Sequence, residues 1–271
     1  MPSGKASKQR RQAGRVPSPP ERRNAGTSRQ RQASPRVLVA TGVVVVAIVA
    51  AIVLAAALGG GSSNSLKNVP AVGSLTNALP GAADVNTLFK GIPQSGTTLG
   101  SPTAPVTMKE FIDPQCPYCR EFETTVLPGI VTNYVRTGKL RIQMEPWAFI
   151  GPDSVRGQAA ELAAAQQNRA FNYAELLYFN QGVENTGWLT DSMVAAAAQS
   201  IPGLKVHTLL NARSSGAVKA AQQQVDSLAT TDKVSGTPTL YVGKTGTQGK
   251  LVNLASPTDS AAVISAIRAS S

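Results

Sequence analysis

The chain has 271 residues, with 26 Lys plus Arg against 15 Asp plus Glu and a formal charge of +11 at neutral pH. Ten of the basic residues and one acid, Glu21, fall within residues 1–36, so that arm carries +9 and the remaining 235 residues only +2. This distribution excludes a basic globular domain built to hold nucleic acid. The only two cysteines, Cys116 and Cys119, exclude both a multi-disulfide scaffold and an all-cysteine metal site.

Residues 1–36 are rich in Arg, Gln, Ser, Gly and Pro and hold almost no large apolar side chains. Such a segment buries too little surface to offset its ordering entropy, so a disordered basic tail is expected. Val37–Leu58 follows, 22 residues without a charge. As a helix it would span about 33 Å, matching a hydrocarbon core of roughly 30 Å. Five arginines lie within twenty residues before it (Arg22, Arg23, Arg29, Arg31, Arg36) and only Lys67 within twenty after it. The positive-inside rule then predicts a single-pass cell-membrane anchor with a cytoplasmic N-terminus and an extracytoplasmic remainder. A cleaved signal peptide is the competing reading, but its apolar region would normally run about 7–15 residues. The arginine pairs at 10–11 and 22–23 lack the apolar motif of a twin-arginine signal. The tail is read as a topology determinant in preference to a site for lipid headgroups or nucleic acid. Residues 59–91 begin GGGSSNS and stay rich in Gly and Pro, which predicts an extracytoplasmic linker.

From about residue 92 the apolar pattern becomes regular. Val106–Ile112 alternates and reads as a strand ending at Asp113-Pro114, and Pro117–Arg136 as a helix bent at Pro128. A second strand is predicted over Arg141–Phe149, and a helical block from Ser154 to about Thr231. Within that block Val218, Ala221, Val225 and Leu228 mark one helix face. Strands fit Thr239–Val242 and Lys250–Leu254, and a final helix is expected with Ser256 as N-cap, Pro257 first and Asp259 completing a capping box. Strands flanking helices suggest an α/β sheet with an inserted helical subdomain, and about 180 residues suffice for one core.

The chemistry concentrates at Cys116-Pro117-Tyr118-Cys119. Two thiols separated by two residues can close and reopen a small disulfide ring, which suits thiol–disulfide exchange. Cys116 follows a strand and a turn, and Pro117 is at home in the first turn of a helix. The partial positive charge and free N–H groups of that helix end would stabilise a thiolate at Cys116, leaving Cys119 as the resolving thiol. Structural zinc needs four ligands, and the chain offers two cysteines and His207. His207 is read as a surface or packing residue. Trp147, Trp188, Phe171 and Tyr178 are read as core or groove lining.

The stretch KEFIDPQCPYCREFE (Lys109–Glu123), together with SGTPTLYVG (Ser235–Gly243), resembles the DsbA-like thioredoxin-fold thiol–disulfide oxidoreductases. The resemblance covers roughly residues 92–268, within the domain assigned to 92–271. It implies a thioredoxin-like α/β fold whose core is interrupted by the helical block. Cys116 then resembles the solvent-facing nucleophile and Cys119 its buried partner. Pro117 and Tyr118 fall on the substrate side, and Pro238 matches a cis-proline facing the disulfide. Thr237 would present backbone groups to an extended substrate. Glu110 resembles the family's buried acid, where a carboxyl could exchange a proton with Cys119; read without the resemblance, it is an ordinary surface carboxylate.

The inter-cysteine pair departs from the Pro-His of the family's best-known oxidant, and no dimerisation module is apparent in residues 59–90. The expectation is a membrane-anchored enzyme exchanging disulfides with exported proteins, with no bound cofactor and no metal. By resemblance, a quinone-linked membrane partner would reoxidise it. Two alternatives remain open at this stage. The same parts can run in reverse as a reductase or isomerase fed by a membrane electron donor, or the domain can serve as a tethered chaperone or peptide-binding module.

Overall fold

The computed structural model describes residues 69–271. The tail and the apolar stretch Val37–Leu58 lie outside the described residues, as does the Gly/Ser-rich start of the expected linker. Among the described residues no helix is long and apolar enough to cross a membrane.

In chain order the elements are α1 (Ala82–Phe89), β1 (Gln94–Ser95), β2 (Thr98–Leu99), β3 (Val106–Ile112), α2 (Pro117–Thr125), α3 (Leu127–Ile130), a π-helical turn (Val131–Val135) and β4 (Leu140–Pro146). Then come α4 (Pro152–Ala165), α5 (Ala170–Phe179), α6 (Asp191–Gln199), α7 (Val206–Ala212), α8 (Gly216–Thr231), β5 (Thr239–Lys244), β6 (Lys250–Leu251) and α9 (Ser260–Ser270). One six-stranded sheet has the order β1-β2-β4-β3-β5-β6. Its central pair β3–β4 is parallel and every other pairing antiparallel. Helices α4–α8 interrupt the chain between β4 and β5, which is the inserted helical subdomain.

The alternation along β3 sorts its side chains. Val106, Met108 and Ile112 enter the main core with Ile142 and Met144 of β4, Leu240 and Val242 of β5 and the buried face of α9. The opposite face carries a small cluster in which Phe111 and Tyr241 pack against Ala229 of α8. A separate apolar cluster holds the helical subdomain together, built from alanines and leucines of α4–α7 with Tyr173 at its centre.

Several expectations change. The linker assignment of residues 59–91 does not hold from Val69 onward. Val69 is buried, and residues 71–74 lie as a strap against the helical subdomain through Val206 N–H to Ala71 O (2.9 Å) and Gly73 N–H to Leu204 O (2.8 Å). A Cβ on Gly73 would stand 2.3 Å from the Ile201 carbonyl oxygen, so the close approach requires glycine. In α1, Ala82, Val85 and Phe89 lie on one buried face, and the Phe89 ring meets Phe171 edge-on at 6.0 Å. Composition hid this face because only eight residues carry it among Gly and Pro.

The single helix expected over Pro117–Arg136 is divided. Pro128 lacks an N–H, and the segment beyond closes with Arg136 N–H reaching Val131 O (2.9 Å), one residue wider than an α-helical bond. The final helix begins later than expected, because Asp259 rather than Ser256 caps it. One Asp259 oxygen accepts from Ala262 N–H and the other from Ala255 N–H, each at 3.1 Å. The second strand ends at Pro146, and β6 stops at Leu251. The face marked by Val218 and Val225 is the buried face of α8.

Candidate active site

Cys116 is the N-cap of α2 and Pro117 its first residue, so the helix opens directly on the thiol. The Cys119 N–H donates to Cys116 Sγ (3.4 Å), satisfying one of the donors that a helix start leaves free. Across from it, the Cys116 thiol donates to the main-chain oxygen of Thr237 (3.2 Å), and the Thr237–Pro238 peptide bond is cis. Residues 121 positions apart that the two sequence motifs singled out are therefore in contact. Both cysteines are free thiols.

Their environments differ. The Cys119 thiol, the Thr237 side chain and the backbone N–H groups of Cys119 and Tyr118 stand as donor groups around Cys116 Sγ. These donors lower its pKa from 9.0 to about 6 against the opposing effect of burial. The Thr237 carbonyl favours the protonated thiol, and the donors outweigh it. Cys119 is fully enclosed; burial, followed by the hydrogen bond and charge of Cys116, pushes its thiol well above 9.0.

Only 4 % of Cys116 is exposed, and what is exposed opens on a shallow depression of about 660 Å³. Pro117, Tyr118 and Thr237 line it beside Cys116, with Phe149 and Asn185 on other stretches of the wall. Tyr118 is 61 % and Phe149 50 % exposed, which gives the rim an apolar, aromatic character without a deep pocket. His207 is exposed on α7 and forms no part of this lining. Phe171 and Tyr178 are core residues, Trp188 packs in the helical subdomain, and Trp147 stacks obliquely on Phe149 with ring centroids 4.8 Å apart.

Glu110 is not a surface carboxylate. It is 0 % exposed on the core face of β3, neither oxygen has a hydrogen-bond partner, and burial followed by the charge of Glu123 raises its pKa well above 4.5. It makes no hydrogen bond to Cys119. Three further buried glutamates accompany it. Burial and Glu175 raise Glu123 far above its ordinary value, burial and Asp113 lift Glu161 to about 8, and burial lifts Glu175 to about 8. Neither oxygen of Glu175 has a hydrogen-bond partner, and one oxygen of Glu123 likewise has none. None of the four joins an ion pair among the described residues, so burial favours the protonated acid in each.

Sequence reading missed Glu123, Glu161 and Glu175 as buried residues. For Glu123 a signal was present: Cys119, Phe122 and Glu123 recur at helical spacing, so a helix that buries Cys119 also buries Glu123. It also missed Asp113, read only as the end of a strand. Its carboxylate is fully buried and accepts from the backbone of Gln115, Phe149 and Ile150 and from the hydroxyl of Ser154.

Comparison with known proteins agrees with this fold. The family model described as Thioredoxin matches residues 94–253, more than half of the chain. A probable disulfide bond formation protein D of Bacillus cereus is 31 % identical over 148 residues, covering 54 % of this chain and 68 % of that protein. The oxidised crystal structure of BdbD from Bacillus subtilis superposes with a TM-score of 0.58 at 22 % identity, covering 66 % of this chain and 96 % of that one. A thioredoxin-like oxidoreductase from Silicibacter pomeroyi gives 0.52 at 25 % identity over 68 % and 95 % of the two chains. The chain belongs to the thioredoxin family, carries a helical insertion within that fold, and is a protein thiol–disulfide oxidoreductase.

Proposed function

We propose that the enzyme is anchored in the cell membrane by Val37–Leu58 and introduces disulfides into exported proteins through Cys116 and Cys119. The observation that carries the direction is the lowered pKa of Cys116. A stabilised thiolate favours the reduced protein, and a pair stable when reduced is an oxidant when joined as a disulfide. The relatives named as disulfide bond formation proteins support the same direction.

In this reading a substrate thiolate attacks Cys116 Sγ of the oxidised pair. The Cys116–Cys119 bond breaks, a mixed disulfide forms at Cys116, and Cys119 departs as a thiolate that takes up a proton. A buried neutral carboxyl such as Glu110 is suited to supply that proton. A second substrate thiolate then attacks the substrate sulfur of the mixed disulfide, and Cys116 leaves as the stabilised thiolate. The substrate loses two electrons and the enzyme pair gains them. A quinone-linked membrane partner accepts them in the next step. Thr237, beside cis-Pro238, offers backbone groups to an extended substrate, and Pro117 and Tyr118 border its path.

The reduction potential tests the direction. A value nearer about −120 mV than about −270 mV is expected, and one at the reducing end would overturn it. Cys116→Ser abolishes dithiol oxidation if Cys116 is the nucleophile. Removing residues 1–58 while supplying a cleavable export signal should release the enzyme from the membrane fraction; retention there would remove the anchor from the proposal.

A further inference from the structure

Asp113 lies three residues before Cys116, is fully buried, and has both carboxylate oxygens occupied. One accepts from Gln115 N–H (2.8 Å) and Ser154 Oγ–H (2.7 Å), the other from the successive N–H groups of Phe149 (2.7 Å) and Ile150 (2.9 Å). Its main-chain oxygen accepts from Cys116 N–H and from the Tyr178 hydroxyl, each at 3.0 Å. The network extends through Gln115, whose side chain donates to Ser154 Oγ (2.9 Å) and accepts from Asn185 N–H (2.7 Å). Gln181 closes it by donating to the main-chain oxygens of Pro114 (2.9 Å) and Cys116 (3.1 Å).

Three stretches distant in sequence are thereby tied to one carboxylate: the turn that delivers Cys116, the loop bearing Phe149, and, through Gln115, the loop bearing Asn185. The second and third form walls of the depression that Cys116 opens on. Neither wall stretch belongs to a strand or helix at the contact, so its N–H groups have no ladder to join; Phe149 N–H is shared with Trp147 O (3.0 Å), and Ile150 N–H has the carboxylate alone. An acceptor with two oxygens and four receptive directions meets that need, and an apolar or singly accepting side chain does not.

We propose that Asp113 is the positioning residue that sets the substrate wall relative to Cys116, and so determines how well the enzyme engages polypeptide thiols as distinct from small ones. The proposal rests on the reading of Cys116 as the nucleophile. A small dithiol needs only the sulfur, whereas a peptide must also lie along the wall formed by Phe149 and Asn185. Loss of the carboxylate therefore falls unequally on the two. Asp113→Asn keeps the shape but replaces one oxygen with an NH2 group that cannot accept, so either the Gln115 N–H or the pair of N–H groups of Phe149 and Ile150 loses its acceptor.

The test uses the full-length oxidised chain in single-turnover reduction by dithiothreitol and by a short peptide carrying two cysteines. Both reactions run whichever direction operates in the cell, so an unfavourable reduction potential would refute the oxidant reading while leaving this comparison readable. In Asp113→Asn the ratio of the peptide to the dithiothreitol second-order rate constant is expected to fall about tenfold. The half-saturating peptide concentration should carry that loss, with the thiolate titration of Cys116 holding its midpoint. Ser154→Ala, which removes one donor and preserves the carboxylate, is expected to move the ratio in the same direction by about two- to threefold, and it carries the test if Asp113→Asn does not fold. An equal loss for both reductants, an unchanged ratio, or a loss confined to the maximal rate would overturn the proposal. A shifted Cys116 midpoint with an unchanged ratio would assign Asp113 an electrostatic role instead.

Discussion

Lys109 and Glu110 are neighbours on β3, and the pleat sends them to opposite faces of the sheet. On one face the Lys109 ammonium pairs with Asp232 and lies over the rings of Phe111 (5.6 Å) and Tyr241 (5.3 Å). Asp232 in turn accepts from Gln248 (2.9 Å), so this charge is compensated on every side that the protein supplies. On the other face Glu110 has no partner at all and belongs to a group of four buried glutamates. The first arrangement is what a fold does with a charge it must enclose. The second retains acid groups that a purely structural core would replace with apolar side chains, and it lies on the side of the sheet that packs against the helix bearing both cysteines. Adjacent residues can thus have unrelated purposes, distinguished by whether their polar atoms are satisfied.

Four substitutions break or sharpen this contrast. Asp232→Ala should have the largest effect, because it strands an enclosed ammonium between two rings; a loss of about 3–5 kcal/mol is expected from urea unfolding, with the Cys116 titration unmoved. If stability barely changed, the compensated face would not be structural.

Glu161→Gln should do the reverse. The folded pKa of Glu161 is raised from 4.5 to about 8, so the folded state binds more protons than the unfolded chain between those values. The contribution of the protonated acid is fully present below about pH 4.5 and is lost as pH rises through about 8. Replacing it with a neutral amide should therefore gain on the order of 4 kcal/mol at pH 8 and little at pH 4.5. A destabilised variant at the higher pH would contradict the protonated state assigned to the group.

Glu110→Gln tests whether the uncompensated face takes part in the chemistry. The rate of Cys119 departure should fall about 10- to 100-fold, with stability held or increased, since no bond is lost. Full activity in a stable variant would return Glu110 to a packing role. The smallest kinetic effect belongs to Glu145, on the Lys109 face. Burial raises it to about 7, and hydrogen bonding from Gln143 and the charge of Lys109 moderate the rise. Glu145→Gln should gain about 3 kcal/mol above pH 7 and little near pH 4.5, with exchange kinetics unaffected. A kinetic effect there would mean that the two faces communicate through the sheet.

The strands at β3 and β5 and the amphipathic α8 were legible because each repeats an apolar period over six or more residues. The hairpin β1–β2 was not, since two-residue strands carry no period, and the strap at residues 71–74 was not, since its partners lie more than a hundred residues away. The cysteines declared their chemistry through spacing and a following proline. Pro238 was legible only through resemblance to a family.

What the sequence determined alone was local: a helix that starts at Cys116 with its free N–H groups facing a thiol, a charge-free stretch long enough to span a membrane, and a charge excess concentrated in one arm. Tertiary structure decided the rest. Bringing Thr237 against Cys116 and enclosing Cys119 separates two chemically identical thiols into one lowered to about 6 and one raised above 9. It likewise turned Glu110 from a plausible surface residue into a buried acid and Asp113 from the end of a strand into the centre of a network. Burial and partnership are properties of position in space, and a side chain's acidity follows them rather than its neighbours in the chain.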